Sequence, residues 1–247
     1  MEEKAQFMPA GSITLSIGHE ASQFHVTIRA MCHIIAYFDM DYTILDTSSG
    51  LLYVRYLRQH HQITSRQLLR VGWWSLLYKL SLIDMARAMP HMSAYAENAS
   101  ATEMLQQTRA WFKDMVQPHL TPAAIERIRW HQTQGHMVVV ISASTQFAVR
   151  PVAEFLGLDY LCTQLAVNGD RLTGRIVEPA CYGGGKIFWA KEFAMAHDAQ
   201  LSDSYFYTDS LSDLPLLDLV GHPIAINPDL RLKRLAQRRG WPIVKFH

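Results

Sequence analysis

A short apolar segment that runs into two aspartates constrains the fold of this chain more than any other feature. Residues 34–38 read Ile-Ile-Ala-Tyr-Phe and are followed directly by Asp39, with Asp41 two positions later. The segment lacks a helical period, and a continuous apolar run of this length is typical of a strand buried on both faces of a parallel sheet. Open parallel sheets bind ligands at the carboxyl ends of their strands. The sequence therefore predicts an α/β fold in which Asp39 and Asp41 lie at the ligand-binding edge of the sheet.

The two carboxylates are close enough in sequence to repel each other, unless a cation lies between them or one of them takes up a proton. Oxygen ligands of this kind suit a hard divalent ion, most simply Mg²⁺. A structural explanation is equally open for an isolated pair of aspartates, because aspartate side chains also cap the turns that follow strands. The pair alone therefore predicts either a metal-dependent site or an ordinary turn.

Composition places the chain among globular proteins with a substantial core. Of its 247 residues, 49% are hydrophobic and 18% are charged, which excludes a disordered chain. The formal net charge of +1 gives no electrostatic reason to predict a nucleic acid or an anionic membrane as partner. The three cysteines are an odd number without metal-binding spacing, which favours a reducing cytoplasm; they are Cys32, Cys162 and Cys181.

The first thirty residues differ from the rest of the chain. They lack the basic and apolar regions of a secretory signal, and they contain two short segments that alternate like strands but carry no reactive groups. Met31 lies three residues before the first core strand. We therefore expect residues 1–30 to be an extension outside the core, with Met31 as the candidate natural start.

Between residues 47 and 120 the apolar residues recur at helical spacing, which predicts a helical insertion after the first strand. One stretch of this insertion is unusually aromatic and includes Trp73 and Trp74. Arg70 and Lys79 interrupt it well short of the roughly 20 apolar residues that a membrane span requires. The stretch is predicted to be a buried or partner-facing helix, and it is the candidate contact of a homodimer.

Helices and strands alternate again after residue 121, and polar groups stand at the ends of several of them. The predicted elements are, in order, a strand at residues 136–141, a hairpin around residues 168–170, a helix that begins near Lys186, a strand at residues 205–208, and short strands at residues 224–226 and 243–244 around a basic helix at residues 229–239. Ser142 follows the first of these strands, and Lys186 follows three glycines. Asp209 ends the strand at residues 205–208, and Asp213 comes four positions later.

Each of these polar groups also has a structural explanation when it is taken alone. The position of Ser142, after a strand and before a predicted helix, also suits an ordinary helix N-cap. The glycines of residues 183–185 make a flexible turn as readily as an anion-binding loop, and Asp213 suits the start of a helix. Asp39 and Asp41 are harder to explain in this way, because they follow five apolar strand residues directly. The combination of groups and their order therefore predict a site more strongly than any one group does.

The motifs and their order resemble those of the haloacid dehalogenase superfamily. That family carries D-x-D-x-T, a strand-end serine or threonine, a lysine and a later acidic pair, which correspond here to F-D-M-D-Y-T, V-V-V-I-S, G-G-G-K and Y-T-D-S-L-S-D. The resemblance covers residues 34–246. It implies a Rossmann-like parallel sheet formed by residues 31–46 and 121–247, with residues 47–120 as an inserted helical cap. A cap in this position is similar to that of the subfamily that includes phosphoserine phosphatase, and parts of the chain also resemble histidinol-phosphate phosphatases and bacterial hydrolases of poorly defined substrate.

The resemblance implies a phosphomonoester hydrolase that depends on Mg²⁺, works through an aspartyl-phosphate and acts on a small molecule. Asp39 is implied as the nucleophile and Asp41 as the general acid and base. Mg²⁺ is implied to bind Asp39, the main-chain carbonyl of Asp41 and Asp209, where it would offset the charge of the phosphoryl group.

The remaining motif residues are implied to bind the phosphoryl group or to neutralise charge. Ser142 and the main-chain amides beside it, including that of Ala143, correspond to the phosphate-binding position. Lys186 would neutralise charge that grows on the nucleophile and on the phosphoryl group. Asp213 would orient Lys186 or a metal-bound water.

Two other classes of function remain open from the sequence. A phosphotransferase or phosphomutase would use the same aspartyl-phosphate and pass the phosphoryl group to an acceptor other than water. A non-catalytic interaction protein on the same fold would use Trp73 and Trp74 as its contact surface.

The residue at position 48 bears on the substrate. Phosphoserine phosphatases of the resembled subfamily carry a glutamate nine residues after the nucleophile, where it meets the ammonium group of the substrate. Here that position is Ser48, whose hydroxyl cannot form the ion pair, and charge-assisted hydrogen bonds are roughly twice as strong as neutral ones. Asp46 lies two residues away. The sequence therefore predicts that L-phosphoserine is a poor substrate, and it favours histidinol phosphate or a lysophospholipid-like phosphomonoester.

Overall fold

A computed structural model of the chain describes residues 33–64 and 96–247. Within these ranges one sheet contains seven strands, in the order β4-β3-β2-β1-β5-β6-β7. The strands are β1 (Ile35–Phe38), β2 (Met137–Thr145), β3 (Asp159–Asn168), β4 (Arg171–Val177), β5 (Tyr205–Thr208), β6 (His222–Ile226) and β7 (Ile243–Val244). Every neighbouring pair is parallel except β3 and β4. The predicted α/β fold with a Rossmann-like parallel sheet is confirmed.

Helices cover both faces of this sheet. In the described part of the chain they are α1 (Ser49–Gln59), α2 (Ala101–Trp111), α3 (Pro122–Thr133), α4 (Gln146–Leu156), α5 (Gly185–Ala196), α6 (Leu214–Leu217) and α7 (Leu230–Arg239). Apolar residues of α1, α3 and α4 belong to one buried cluster, and those of α5, α6 and α7 belong to a second. The sheet lies between the two clusters, so the core has three layers.

Strand β1 is central because all four of its residues are apolar and buried. Ala36 and Phe38 pack in the first cluster, whereas Ile35 and Tyr37 pack in the second. The Tyr37 hydroxyl donates to the main-chain oxygen of Ala190 (3.0 Å), which ties β1 to α5. β1 lies between β2 and β5, where the order of the strands reverses. Open α/β sheets bind their ligands beside such a reversal, at the carboxyl ends of the strands.

The described parts of the predicted insertion at residues 47–120 are largely helical, and α2 is anchored to the hairpin formed by β3 and β4. The hydroxyl of Ser100 donates to Oδ2 of Asp170 (2.5 Å), and the amide of Thr102 donates to Oδ1 of the same carboxylate (2.9 Å). The hairpin predicted around residues 168–170 is confirmed by the antiparallel pairing of its strands. One surface aspartate at the hairpin tip therefore fixes the start of α2 on the sheet.

The predictions that concern two segments lie outside the described residues. The aromatic helix with Trp73 and Trp74 falls within residues 65–95, and the extension with Met31 falls within residues 1–32. The helix contact of a homodimer, the extension and the start at Met31 therefore stay predictions. Of the helices that the structure describes, none has the length and apolar character needed to cross a bilayer.

Strand β2 is longer than predicted. The prediction ended the strand at Ser142–Ser144, but β2 continues to Thr145 and α4 begins at the next residue. Its register against β3 shifts between Ser142 and Thr145. The hydroxyl of Thr163 donates to the main-chain oxygen of Ala143 (2.9 Å) and so supports the irregular segment. The N-cap position of α4 belongs to Thr145, and the N-cap explanation of Ser142 is therefore wrong.

A histidine pair lies beside the strands β5 and β2. His131 of α3 is completely buried, with its Nδ1 atom 2.8 Å from Nδ1 of His136 and its Nε2 atom 2.8 Å from the hydroxyl of Tyr207. Burial, with further contributions from His136 and Arg127, lowers the pKa of His131 to about 3. His131 is therefore neutral in the folded protein at neutral pH.

We expect His131 to make the protein less stable in mild acid. A histidine in the unfolded chain has a pKa of about 6.5. The contribution of neutral His131 to the stability of the folded state is therefore complete above about pH 6.5. It is lost as the pH falls toward the folded pKa of about 3, because the unfolded state binds the additional proton. For one proton the loss reaches about 2 kcal/mol between about pH 6.5 and pH 5.

Urea unfolding at both pH values measures this effect. His131→Gln should show a smaller loss of stability in acid than the wild type. The matched control is His60→Gln, because His60 is exposed and should leave the pH dependence unchanged. The same pH dependence in all three proteins would contradict the prediction.

Candidate functional site

The turn after β1 places both acidic residues of the first motif at the carboxyl end of the strand. Asp39 extends β1 by one residue, since its amide donates to the main-chain oxygen of Tyr207 in β5 (2.9 Å). The chain then turns, and the amide of Leu45 donates to the main-chain oxygen of Met40 (2.9 Å). Asp39 is buried and Asp41 is partly exposed. The predicted location at the ligand-binding edge of the sheet is thus the location that the structure shows.

The side chain of Lys186 joins three parts of the chain. Its ammonium donates to Oδ1 of Asp39 (2.7 Å) and to Oδ2 of Asp213 (2.7 Å). All three residues are buried, and Lys186 is only 2% exposed. A buried ammonium without a partner costs several kcal/mol, so the two carboxylates stabilise it in this position. The contact fixes α5 to the ends of β1 and β5.

Two of the three glycines before Lys186 have a structural reason to be glycine. A Cβ atom at Gly185 would lie 1.8 Å from the main-chain oxygen of Ala180, which no side chain tolerates. Gly183 has a φ angle of 52°, a conformation that favours glycine. The turn therefore packs the start of α5 against the preceding loop and directs Lys186 toward Asp39.

Two aspartates follow β5 and have different surroundings. Asp209 is the first residue after the strand and is partly exposed. Asp213 is buried, and its Oδ2 atom accepts from both Lys186 and the hydroxyl of Thr208 (2.7 Å each). Its side chain makes no capping hydrogen bond to α6. Asp213 therefore occupies the N-cap position of α6, as the capping explanation expects, but its side chain binds its predicted neighbour Lys186 and does not cap the helix.

Asp41 is held by the first residue of α1. The amide of Ser49 donates to Oδ1 of Asp41 (2.8 Å), and the hydroxyl of Ser49 donates to Oδ2 (3.1 Å). The hydroxyl oxygen of Ser49 also lies 3.2 Å from that of Ser144, near the end of β2. One serine thus connects the turn after β1, the first helix of the insertion and the end of β2.

Ser142 and Ala143 lie at the same edge of the sheet as Asp39. β1 and β2 are parallel neighbours in which Phe38 pairs with Val140, so Ser142 follows at the carboxyl end. The Ser142 hydroxyl is buried and accepts from the amide of Ser144 (3.2 Å). The structure therefore brings every predicted site residue to the carboxyl ends of β1, β2 and β5 or to the adjoining start of α5.

In the part of the chain that the structure describes, this site contains four carboxylates and one ammonium; they are Asp39, Asp41, Asp209 and Asp213, with Lys186 as the cation. Burial raises the pKa of Asp39 to about 7 and that of Asp209 to about 8, and in both cases Asp213 raises it further while Lys186 opposes the change. Burial also raises the pKa of Asp41, against the hydrogen bonds from Ser49. Burial alone would lower the pKa of Lys186, but Asp213 and Asp39 raise it above its ordinary value. With all five of these described groups ionised, they carry three more negative charges than positive ones.

This excess of negative charge fits a divalent cation bound by oxygen. The Asp39 carboxylate raises the pKa of Asp209, so the two groups interact unfavourably when both are ionised, and a cation between them would relieve that repulsion. Within residues 33–64 and 96–247, no three His, Cys, Asp or Glu side chains converge as a metal-binding group. The predicted donors are two carboxylates and the main-chain oxygen of Asp41, and Mg²⁺ commonly completes such a set with water. The residues present therefore fit the predicted ion.

The sequence analysis missed the hydroxyl groups that support the motif residues. Ser49 binds Asp41, Thr208 binds Asp213, and Thr163 supports the segment that contains Ala143. Thr208 is part of the quoted Y-T-D-S-L-S-D motif and directly precedes Asp209, and a serine at a predicted helix start is a recognisable signal. Thr163 carries no such signal, because only the pairing of β2 and β3 brings it to the site.

Ser48 and its acidic neighbour Asp46 both have contacts of their own in the structure. Ser48 occupies the N-cap position of α1, where its main-chain oxygen accepts from the amide of Leu52 (3.1 Å) and its side chain makes no capping hydrogen bond. The carboxylate of Asp46 contacts Nδ1 of His119 (2.7 Å). Asp46 is therefore engaged with another residue and does not take the place of the glutamate.

Tyr42 has an unfavourable backbone conformation inside the first motif. Its φ and ψ angles are 55° and 7°, a left-handed conformation that costs a bulky residue about 1 kcal/mol or more. The amide of Tyr42 donates to the main-chain oxygen of Thr47 (3.3 Å), and its own main-chain oxygen accepts from the side chain of Asn227 (3.3 Å). Burial, Asp41 and Asp209 raise the pKa of its phenol, which places the ring near the carboxylates.

We expect Tyr42→Gly to be more stable than Tyr42→Ala by about 1 kcal/mol, because both variants remove the ring and only glycine tolerates the positive φ angle. Exposed Arg234 in the middle of α7 is the matched control position. There the order should reverse, since glycine costs about 1 kcal/mol relative to alanine inside a helix. Urea unfolding of the four variants measures both differences. A Tyr42→Ala variant at least as stable as Tyr42→Gly would show that the conformation carries no strain.

Comparison with known proteins supports the motif assignment. A family model described as haloacid dehalogenase-like hydrolase matches residues 36–218 of this chain. The matched range contains both acidic motifs, the strand-end serine and the lysine. The resemblance predicted from the motifs is confirmed.

Two relatives are named phosphatases, and their names give different substrates. A protein named phosphoserine phosphatase from Mycobacterium tuberculosis (strain ATCC 25618 / H37Rv) is 31% identical over 216 residues, which cover 85% of this chain and 70% of the relative. A protein named histidinol-phosphatase from Neisseria meningitidis serogroup C (strain 8013) is 28% identical over 218 residues, which cover 86% of this chain and 98% of the relative. A solved structure of a protein of unknown function from Bordetella pertussis Tohama I has a TM-score of 0.80 and 27% identity, covering 88% of this chain and 100% of that one.

Proposed function

Because the chain belongs to the haloacid dehalogenase-like hydrolases and is a phosphatase of that family, we propose that it is a Mg²⁺-dependent phosphomonoesterase that forms an aspartyl-phosphate on Asp39. The observation that carries the proposal is the buried ammonium of Lys186, which lies 2.7 Å from Asp39 and 2.7 Å from Asp213. A carboxylate can approach a negatively charged phosphoryl group only where positive charge is already in place. Because the chain is an enzyme of this class, we do not retain the alternative of a non-catalytic interaction protein.

The first step joins Asp39 to phosphorus. The carboxylate attacks the phosphorus atom, and the bond between phosphorus and the ester oxygen breaks. Lys186 contacts Oδ1 of Asp39, so we assign the attack to Oδ2. Asp213 and Thr208 hold the ammonium in position through their own hydrogen bond (2.7 Å). Lys186 then neutralises part of the charge on the phosphoryl oxygens.

Asp41 moves the proton in both steps. It donates a proton to the leaving alkoxide, and it later removes a proton from the water that attacks the phosphorus of the aspartyl-phosphate. The bond between phosphorus and Asp39 then breaks, which releases inorganic phosphate and restores the carboxylate. Burial raises the pKa of Asp41 and so favours the protonated form that the first step requires.

Ser142 and Ala143 bind the phosphoryl oxygens in this proposal, through the hydroxyl of Ser142 and the main-chain amides. The hydroxyl of Thr163 donates to the main-chain oxygen of Ala143 (2.9 Å) and so helps to hold this segment in place. Asp39, Asp209 and the main-chain oxygen of Asp41 would hold Mg²⁺, which when bound supplies positive charge to the phosphoryl oxygens.

Asp39→Asn tests the nucleophile. The substitution keeps the shape of the side chain and removes its charge, so kcat with p-nitrophenyl phosphate should fall on the order of 10³-fold or more, as it does when a covalent nucleophile is lost. Incubation of the wild type with Mg²⁺ and BeF₃⁻, followed by structure determination, should show the adduct on Asp39.

The matched control for this test is Asp203→Asn, because Asp203 is exposed and lies outside the site. Excess EDTA should abolish wild-type activity, and added acceptor alcohols should leave inorganic phosphate as the main product. Full activity in EDTA, or an adduct on another residue, would refute the mechanism. Phosphoryl transfer to the alcohol in place of water would instead indicate a phosphotransferase.

We further propose that the substrate is a phosphomonoester other than L-phosphoserine. The two named relatives point to different substrates, so similarity does not decide the question. The hydroxyl of Ser48 cannot neutralise an ammonium group, and Asp46 is engaged with His119 (2.7 Å). Histidinol phosphate and lysophospholipid-like phosphomonoesters are the favoured candidates.

Ser48→Glu should raise kcat/KM for L-phosphoserine about 10-fold, because it replaces a neutral contact by a charge-assisted one. The same substitution should leave a substrate without an ammonium group, such as p-nitrophenyl phosphate, within about 3-fold of the wild type. In the wild type, histidinol phosphate should exceed L-phosphoserine in kcat/KM. A panel of phosphomonoesters measures these ratios, and L-phosphoserine as the best wild-type substrate would refute the assignment of Ser48.

A further inference from the structure

Ser49 lies outside the four motifs, yet it contacts the proposed general acid with two groups. Its amide binds Oδ1 of Asp41 at 2.8 Å and its hydroxyl binds Oδ2 at 3.1 Å. Because each carboxylate oxygen accepts from a different donor, the carboxylate cannot rotate without breaking one of the two bonds. Ser49 is itself only 1% exposed, so water does not readily replace it.

A neighbouring hydroxyl fixes the hydroxyl of Ser49. A serine hydroxyl has one hydrogen and accepts through its lone pairs. With Asp41 ionised, Ser49 donates that hydrogen to the carboxylate, so at a separation of 3.2 Å it accepts from the hydroxyl of Ser144. The amide of Ser144 in turn donates to the hydroxyl of Ser142 (3.2 Å). Contacts therefore run without interruption from the proposed phosphate-binding serine to the proposed acid.

The second donor belongs to a helix terminus. Ser49 is the first residue of α1, an 11-residue helix. Amides in the first turn of a helix lack partners within the helix and favour a nearby negative charge. The orientation of Asp41, which belongs to the turn after β1, thus depends on where the first helix of the insertion begins.

We propose that Ser49 is a positioning residue for Asp41, with Ser144 supporting its hydroxyl. The proposal rests on the function proposed above, in which Asp41 protonates the leaving group. A general acid must lie within hydrogen-bond reach of the oxygen that it protonates. Loss of the Ser49 hydroxyl frees the carboxylate to rotate, and proton transfer to the leaving group becomes slower while attack by Asp39 is unaffected.

A purely structural role makes a different prediction. Asp41 would then only cap the start of α1, and removal of the hydroxyl would lower stability without any effect on proton transfer. The leaving group separates the two roles. p-Nitrophenolate departs without protonation, whereas an alkoxide requires it, so only a positioning residue makes the loss depend on the leaving group.

The test compares kcat/KM for p-nitrophenyl phosphate and for an alkyl phosphate, both with Mg²⁺. Ser49→Ala keeps the amide bond and removes the hydroxyl, so the alkyl phosphate should lose about 10-fold or more and p-nitrophenyl phosphate less than about 3-fold. Ser144→Ala should show the same preference with a smaller loss. In an Asp41→Asn background, Ser49→Ala should cause no additional loss with either substrate. Equal losses for both substrates, or a further loss in that background, would overturn the proposal.

Ser100→Ala is the matched control, because Ser100 caps the start of α2 and its hydroxyl also binds an aspartate, Asp170 (2.5 Å). It should lower Tm and leave the ratio of the two substrates unchanged. If Ser49→Ala fails to fold, Ser144→Ala decides, and a loss that is equal for both substrates overturns the proposal. A wild type without phosphatase activity would refute the proposed function and this inference together. If Asp41→Asn lowers kcat/KM more for the alkyl phosphate than for p-nitrophenyl phosphate and Ser49→Ala does not, the inference alone is refuted.

Discussion

The buried ammonium of Lys186 is the interaction on which the rest of the site depends. It is compensated by carboxylates that reach it from two separate elements, β1 and the segment after β5. Removal of one partner from a buried ion pair typically costs about 3–5 kcal/mol, because the remaining charge is left without compensation. The glycine at 185, which allows α5 to approach Ala180, and the hydroxyl of Thr208 both serve this one charge. Stability and reactivity therefore depend on the same few atoms.

The site also retains features that a protein selected only for stability would avoid. Among the described residues its four carboxylates exceed its one ammonium, and the pKa values of Asp39 and Asp209 rise to about 7 and 8, chiefly through burial and further through repulsion by neighbouring carboxylates. Tyr42, three residues after Asp39, holds a left-handed conformation. Unfavourable features of these kinds concentrate at functional sites, where the surrounding structure maintains them. Their presence at the carboxyl ends of β1 and β5 agrees with a site built to receive a cation and a charged ligand.

The sequence was most informative where local pattern decides the outcome. The apolar run before Asp39 predicted the central strand, and strand ends predicted the positions of Ser142 and Asp209, because parallel strands bring their carboxyl ends to one edge. The extension of β2 to Thr145 and the role of Thr163 could not be predicted, since both depend on how β2 pairs with β3. The contact of Ser49 with Asp41 likewise depends on the direction in which the chain leaves the turn. Local pattern thus located the motifs, and tertiary contacts determined which hydroxyls support them.

The hairpin of β3 and β4 has a consequence for how such a chain can vary in length. Hairpin tips are exposed, and surface loops ordinarily accept added or deleted residues with little effect. Here the exposed tip residue Asp170 supplies both carboxylate oxygens that bind Ser100 and Thr102 at the start of α2. Residues added at the tip would carry that carboxylate away from α2. The start of α2 would then no longer be fixed to the sheet. A surface turn of this protein is therefore subject to the same length restriction as a buried element, and a relative with a longer hairpin would need another way to fasten α2.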